Sequence, residues 1–309
     1  MKNKGFTLVE LLAVLVLISA IILIVVPSII NYVNESKDNI SEATAQILYS
    51  GAQLYVDANP DKFSKVEGRQ ICVTLEEIVA LNYLTEPIVD SISGEEIDLE
   101  TAITITYTYD KNLQYLKPEY DVSDSCKLCT LVNGAFNEVG SKYTCDLGDG
   151  DRTFYVLEAG TSSKSATLIL YGNYDTMTLA WCDQNGDNPK NNSCHADGLE
   201  LKLDEIALAW NKLGRSQIGL PSMEQIMVAD GRGENDYEGG QLQLSNKFLY
   251  SGYPTTDTTT QGYWTSTGSP TNAYYALLLN RYGKTASNYV YANHLYGIRP
   301  VIYLDLKQI

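Results

Sequence analysis

Residues 1–30 read MKNKGFTLVELLAVLVLISAIILIVVPSII, and the rest of the chain is organised around them. Lys2 and Lys4 come first, then Gly5 and Phe6; from Leu11 to Val26 sixteen residues contain one polar member, Ser19. With Phe6 to Glu10 added, the run is long enough for a bilayer-spanning helix, which needs about 20 largely apolar residues. One carboxylate, Glu10, lies inside it. An ionised carboxylate near hydrocarbon is costly and marks a functional position. A cleaved secretory signal also has a basic start and an apolar middle, but this run is too long and no small-x-small site follows it. An ordinary membrane anchor explains the length and the basic flank. It does not explain the string Gly5-Phe6-Thr7-Leu8-Val9-Glu10.

That string, over residues 1–35, resembles the signal of type IV pilins and pseudopilins. The resemblance implies that a prepilin peptidase cuts between Gly5 and Phe6 and that the new N-terminus, Phe6, is methylated. It also implies that Glu10 is the glutamate through which subunits assemble, and that Pro27 is the proline recurring where the helix leaves its most apolar stretch. The charge logic is simple. Cleavage creates an ammonium at Phe6, and the carboxylate of one subunit neutralises the amine of the next. Either charge alone in lipid or a dry filament core costs several kcal/mol, and a pair costs much less. Pairing therefore favours one axial register, as a buried polar residue does in a coiled coil.

The chain has 309 residues, room for about two domains beyond the anchor. A net charge of −16 argues against a nucleic-acid surface, which needs clustered Lys and Arg. Tyr is abundant at 23, and Asn, Thr, Ser and Gly are frequent after residue 140, a composition suited to an extracellular surface. Six cysteines, Cys72, Cys126, Cys129, Cys145, Cys182 and Cys194, form an even set behind an export signal, which favours disulfides. Proximity pairs Cys182 with Cys194. Cys145 pairs with Cys126 or Cys129, and Cys72 completes the third bridge. Cys126-x-x-Cys129 also looks like half a zinc ribbon, but no second close pair follows near Cys145.

Past Pro27 the helix is expected to continue to about Ala58. Val26, Val33, Ile40, Ile47 and Leu54 recur every seven residues, opposite Asn34, Glu35, Asp38, Glu42 and Gln53. This predicts one buried side, with Ala43, Leu48, Gly51 and Tyr55 broadening it. Asn59-Pro60 ends the helix. Thr74-Leu-Glu-Glu77 reads as a capping box opening a helix through Tyr83. Residues 101–109 alternate, with Ile103, Ile105, Tyr107 and Tyr109 on one face of a strand. Residues 121–152 read as a break. Residues 153–157 and 166–171 read as a hairpin, and 199–213 as a helix presenting Leu203, Ile206, Ala207, Trp210 and Leu213. Ser222 and Gln225 read as a second capping box.

The order of that second half, a helix, Leu220-Pro-Ser222, Tyr263-Trp-Thr-Ser266 and Gly297-Ile-Arg-Pro-Val-Ile-Tyr-Leu304, resembles the C-type-lectin-like superfamily and its formylglycine-generating branch. The resemblance implies no catalysis here. That branch binds copper through cysteines near its C-terminal strands, and none follows Cys194. The calcium and sugar motifs of lectins are also missing, so the fold gives no ligand. Trp264 is expected in the core, and Arg299 in a structural contact with a buried carboxylate. His195 and His294 have no paired spacing. Asp183, Asn185 and Asp187 have the spacing of part of a calcium loop, without the glutamate that completes one. Asp146, Asp149 and Asp151 are discounted in the same way.

The expected class is α+β. A long N-terminal helix, transmembrane then amphipathic, packs on a small antiparallel sheet, and a C-type-lectin-like α+β domain follows. The expected segments are a leader (1–5), a pilin helix (6–58, transmembrane over 6–27), a globular head (59–125), a Cys-containing connector (126–152) and the lectin-like domain (153–309). The expected function is a minor pilin or large pseudopilin that displays an extracellular domain for adhesion or assembly initiation, without cofactor or catalysis. Its partners would be other pilins, a prepilin peptidase, an assembly platform with its motor ATPase, and membrane lipid. The alternative is a plain membrane-anchored surface binder.

Overall fold

The computed structural model describes residues 40–60, 62, 63, 65–123, 125–182, 192–239, 241–253, 260–291 and 295–309. They form a mixed α+β protein whose C-terminal body is mostly β. The chain divides into two compact units, one of Met1–Asn59, Val73–Ile103 and Val122–Asp124, the other of Pro60–Cys72, Thr104–Asp121 and Ser125–Ile309.

In the first unit the helix α1 spans Glu42–Ala58. Ser41 caps it in an extended backbone conformation, accepting from the Thr44 amide, as short polar residues do at helix starts, so this helix begins at Glu42 and the one expected to run unbroken from Pro27 to Ala58 is interrupted at Ser41. Its buried side is Thr44, Ala45, Leu48, Gly51, Ala52, Tyr55 and Val56. The seven-residue stripe expected to be buried is not this face: Ile47 is 58% exposed and Leu54 57%. The physical reason is side-chain size. Ala45, Gly51 and Ala52 let neighbouring chain approach closely, and a Cβ on Gly51 would lie 2.7 Å from the Leu84 Cγ. Tyr55 and Tyr83 meet with ring centroids 6.0 Å apart. The short helix α2, Leu75–Ala80, opens with the expected capping box of Thr74 and Glu77 and ends three residues earlier than the pattern suggested.

Three strands, β1 (Gln70–Thr74), β2 (Ala102–Asp110) and β3 (Tyr115–Ser123), form a sheet in the order β1-β2-β3. Along β2 the expected alternation holds for Ile103, Ile105 and Tyr107, which are buried, while Tyr109 is exposed.

The second unit is built on a six-stranded sheet, β4-β5-β6-β7-β13-β8, comprising Cys129–Asn133, Lys142–Asp146, Asp151–Glu158, Ala166–Leu170, Val301–Leu304 and Ile218–Gly219. Residues 126–152, expected as a connector, thus supply two of its strands. A four-stranded sheet, β11-β10-β9-β12, contains Thr285–Tyr289, Tyr275–Asn280, Gly262–Gly268 and Tyr296–Gly297. The larger sheet is covered on both faces. Leu168, Leu170, Ile302 and Leu304 join Leu203, Ile206 and Trp210 of the helix α3 (Asp197–Ala209) and its C-terminal flank. On the other side Ile169 and Val301 join Met223, Ile226 and Met227 of α4 (Met223–Ala229). Burial on both faces explains why Ala166–Leu170 is apolar at almost every position instead of alternating.

Three disulfides fasten the chain: Cys72–Cys126, Cys129–Cys145 and Cys182–Cys194. They choose among the pairings left open by spacing. Because Cys126 and Cys129 bond to different partners, the pair offers no two thiolates to a zinc ion.

Arg299 is fully buried. The carboxylate expected beside it is replaced by main chain. Its guanidinium donates to the carbonyls of Leu170, Leu249 and Phe248 and lies 5.4 Å from the Tyr263 ring centroid. The planar fork of five donors suits this role, which a lysine ammonium cannot fill. Arg299→Met should strip the Leu170 and Phe248 carbonyls of this donor, leave that of Leu249 to the Tyr263 hydroxyl alone, and lower the unfolding free energy by about 3 kcal/mol or more, measured by denaturant titration. Arg299→Lys should not restore it. A change within about 0.5 kcal/mol would show that the guanidinium is not a structural pin.

Candidate functional site

Gly5, Phe6, Glu10 and Pro27 lie outside the described residues, as do Asp183, Asn185, Asp187 and His294. Among the described residues no helix is long and apolar enough to cross a membrane. What the structure does show is how the start of α1 is fixed. The Ser41 amide donates to Asp90 Oδ2 at 2.7 Å, and the Ser91 amide to Thr44 Oγ1 at 2.9 Å. Asp90 Oδ1 accepts from the amides of Ser93 (2.8 Å) and Ile92 (3.0 Å). Hydrogen bonding from Ser41, then from the Ser93 amide, holds the Asp90 carboxyl far below the usual carboxylate range. Sequence reading missed Asp90, because its partner lies 49 residues away. The outer side of α1 presents Ile47 and Leu54, seven residues apart on one helical stripe.

In the second unit the residues on either side of 183–191 are firmly held. Trp181 Nε1 donates to the Thr265 carbonyl at 2.7 Å, and the Cys182 amide to the Val290 carbonyl at 3.0 Å. Asn192 Nδ2 donates to the Ser269 carbonyl at 2.9 Å. Trp264 is buried as expected, its Nε1 donating to the Leu179 carbonyl at 2.8 Å and its ring edge-on to Tyr296 at 5.0 Å. Among the described residues Cys182, Cys194 and Asp197 cluster closely enough to suggest a metal set, but the two sulfurs are bonded to each other.

The acidic turn Asp146–Asp151 is occupied by cations of its own. Lys212 Nζ lies 2.6 Å from Asp146, and its hydrogen bond holds that carboxyl below its ordinary value. Asp149 pairs with Arg152 at 2.6 Å and accepts from Trp210 Nε1 at 3.2 Å. In a cavity of about 540 Å³ lined by Val66, Arg69, Leu208 and Arg215, Arg215 is bonded to Glu200 and Asp204.

A third polar group was not legible from spacing. Glu224 accepts from the Tyr237 hydroxyl at 2.6 Å and from the Thr267 hydroxyl at 3.1 Å. Burial alone would raise the Glu224 carboxyl, but these bonds outweigh it and hold it low. Burial and the Glu224 charge push the Tyr237 phenol well above its ordinary value. The pair is a fixed carboxylate and a fixed phenol donor. It is not poised for proton exchange near neutrality.

Residues 1–26 match the family model described as a prokaryotic N-terminal methylation motif. No curated protein and no solved structure matches the chain. The N-terminus therefore carries a type IV pilin-like prepilin signal.

The Asp90 cap has a pH signature. Its folded pKa is depressed, so its contribution is complete above the unfolded value of about 4 and is lost as pH falls. Asp90→Asn should lower the thermal midpoint at pH 7 and make it less sensitive to acid below about pH 4. An unchanged acid limb would show that Asp90 does not tie Ser41 to the 90–93 turn.

Proposed function

We propose that this chain is a minor pilin or large pseudopilin, a subunit of a type IV pilus or type II secretion-like filament. It is inserted in the cytoplasmic membrane as a precursor, cut between Gly5 and Phe6 by a prepilin peptidase, methylated at Phe6 and assembled through its N-terminal helix. The observation that carries this reading is the methylation motif over residues 1–26. A second observation supports it. The helix α1 leaves Ile47 and Leu54 in water while burying its other side. Covering such a side chain stabilises by about 1.5–3 kcal/mol, so a neighbouring helix has something to gain there.

The bulk of the C-terminal body points to a sparse or tip position, since a head of this size at every position would crowd a tightly packed helix core. Its role is display, for adhesion or for initiating assembly, and not catalysis. A C-type-lectin-like fold for that body is part of the same proposal. Other pilins, an assembly platform and a motor ATPase are the partners, with membrane lipid before assembly and no nucleic acid.

Replacing Gly5 by Leu should leave the precursor uncut, read as an unshifted mass of the membrane-bound chain. The double substitution of Ile47 and Leu54 by Asp should leave the thermal midpoint nearly unchanged, because both positions are exposed, yet deplete the protein from sheared filaments. Normal cleavage of Gly5→Leu counts against the filament reading. Normal recovery of the double variant in filaments removes the helix stripe from the assembly interface.

A further inference from the structure

The six-stranded sheet ends on β4, Cys129–Asn133, a strand exposed at every position after Cys129. Its main-chain register is set from the inner side. The Asp146 amide donates to the Leu128 carbonyl at 3.0 Å, and the Val156 amide to the Ser141 carbonyl at 3.0 Å. Along residues 141–146, therefore, even-numbered residues turn their main chain to β4 and odd-numbered ones to β6. Cys129 lies opposite Cys145 and Leu131 opposite Tyr143, so the amides and carbonyls of Cys129 and Leu131 point away from β5, along the open edge. The Cys129–Cys145 Cα separation of 4.0 Å agrees, because non-hydrogen-bonded pairs sit about 4.5 Å apart and bonded pairs about 5.5 Å. Among the described residues no main-chain hydrogen bond reaches Cys129 or Leu131 from that side.

Other strand edges are guarded. β3 carries Lys117, Pro118, Glu119 and Asp121, and charges and proline block edge pairing. On β11 the Thr285 amide donates to the Leu242 carbonyl at 2.9 Å, and the Tyr289 amide to Asn288 Oδ1 at 2.7 Å. β8 and β12 are only two residues long. β4 instead reads Cys-Thr-Leu-Val-Asn, with Leu131 39% and Val132 53% exposed. An open apolar edge of this kind is a template for another strand. Residues 125–137 around it hold no Asp or Glu, although the chain has 38 of them.

We propose that β4 pairs antiparallel with β4 of a second copy of this chain, about a two-fold axis at Thr130. The inference goes beyond the filament reading and does not rest on it. Joining the outward groups sets Cys129 of each copy opposite Leu131 of the other, with both main-chain bonds exchanged in each pair. Thr130 then faces Thr130 at a non-hydrogen-bonded position, where side chains come closest and Thr–Thr pairs stabilise a ladder. The same patch serves both partners, so the contact closes as a dimer and does not propagate. Charge selects the occupant. Two copies, each of net charge −16, repel wherever their carboxylates face one another, and this acid-free strand is a place where they do not. The edge is short, so the pair belongs with the small, transient class of interface.

The test uses the full chain, one per phospholipid nanodisc, so that lipid rather than a second chain covers the apolar N-terminal segment. Sedimentation over rising concentration should show a dimer with a dissociation constant of about 100 µM or tighter. Thr130→Glu sets like charges opposite each other and should weaken association about tenfold or more, and Thr130→Lys should do the same. An equimolar mixture of the two variants should recover association to at least the wild-type level, because Glu then faces Lys. Both variants should keep the wild-type melting temperature, since Thr130 is exposed. A chain that stays monomeric over this range overturns the proposal. A dimer that ignores both substitutions does so too, as does a mixture that recovers nothing. If the wild-type chain is monomeric but Thr130→Glu drops out of sheared filaments, the edge takes a strand from a different subunit, and the second copy is ruled out. Dimer formation is read on purified chain, so its failure leaves cleavage at Gly5 and the filament reading standing.

Discussion

A guanidinium shut away from water must find hydrogen-bond acceptors or destabilise everything around it. Arg299 finds them in the carbonyls of Leu170, Leu249 and Phe248. Leu170 ends β7, a central strand of the six-stranded sheet, while Phe248 and Leu249 belong to the short 3-10 helix Lys247–Leu249 before β9. Tyr263, at the start of β9, lies against the guanidinium and donates to the Leu249 carbonyl at 2.8 Å. One side chain thus ties both sheets and a loop to a fixed geometry. The β10–β11 hairpin grows from β9, so its position follows from the same pin.

Local signals in the sequence proved legible where the cause is local. Two capping boxes, at Thr74 and Ser222, are read from spacing alone because each is a reciprocal pair of bonds three residues apart. The hairpin of β6 and β7 was legible from two apolar runs around a polar turn. The alternation of Ile103, Ile105 and Tyr107 likewise reported which face of β2 is buried. Where the cause is tertiary, the pattern misled. The bulky seven-residue stripe of the helix looked like its buried side, yet Gly51 and its alanine neighbours set the close approach and left Ile47 and Leu54 outside. Cys129 is one of the two partners that spacing leaves open for Cys145, although the residues around both look like a break. In fact the two cysteines face each other across β4 and β5. Arg299 shows the same limit, because nothing in a one-dimensional reading marks main-chain carbonyls as the partner of a buried cation.

The assembly site and the displayed surface therefore rest on different kinds of support. The first is a short motif matched at residues 1–26, together with a helix that begins at Glu42 and has one side buried and one stripe in water. The second is chemical. The acidic turn Asp146–Asp151 is engaged with Lys212 and Arg152, whereas the strands β10 and β11 carry no charged residue in a chain with a net charge of −16. A protein built to hold such a surface outside a cell would be expected to close its cysteines in disulfides, and all six are closed.

The central claim is that an apolar helix carrying Glu10 is cut to expose a mate for that charge. Intact-mass and N-terminal peptide analysis of the protein recovered from sheared surface filaments tests it most directly. The account expects a chain that starts at N-methylated Phe6. A chain that starts at Met1, or at a residue beyond the apolar segment, would contradict it.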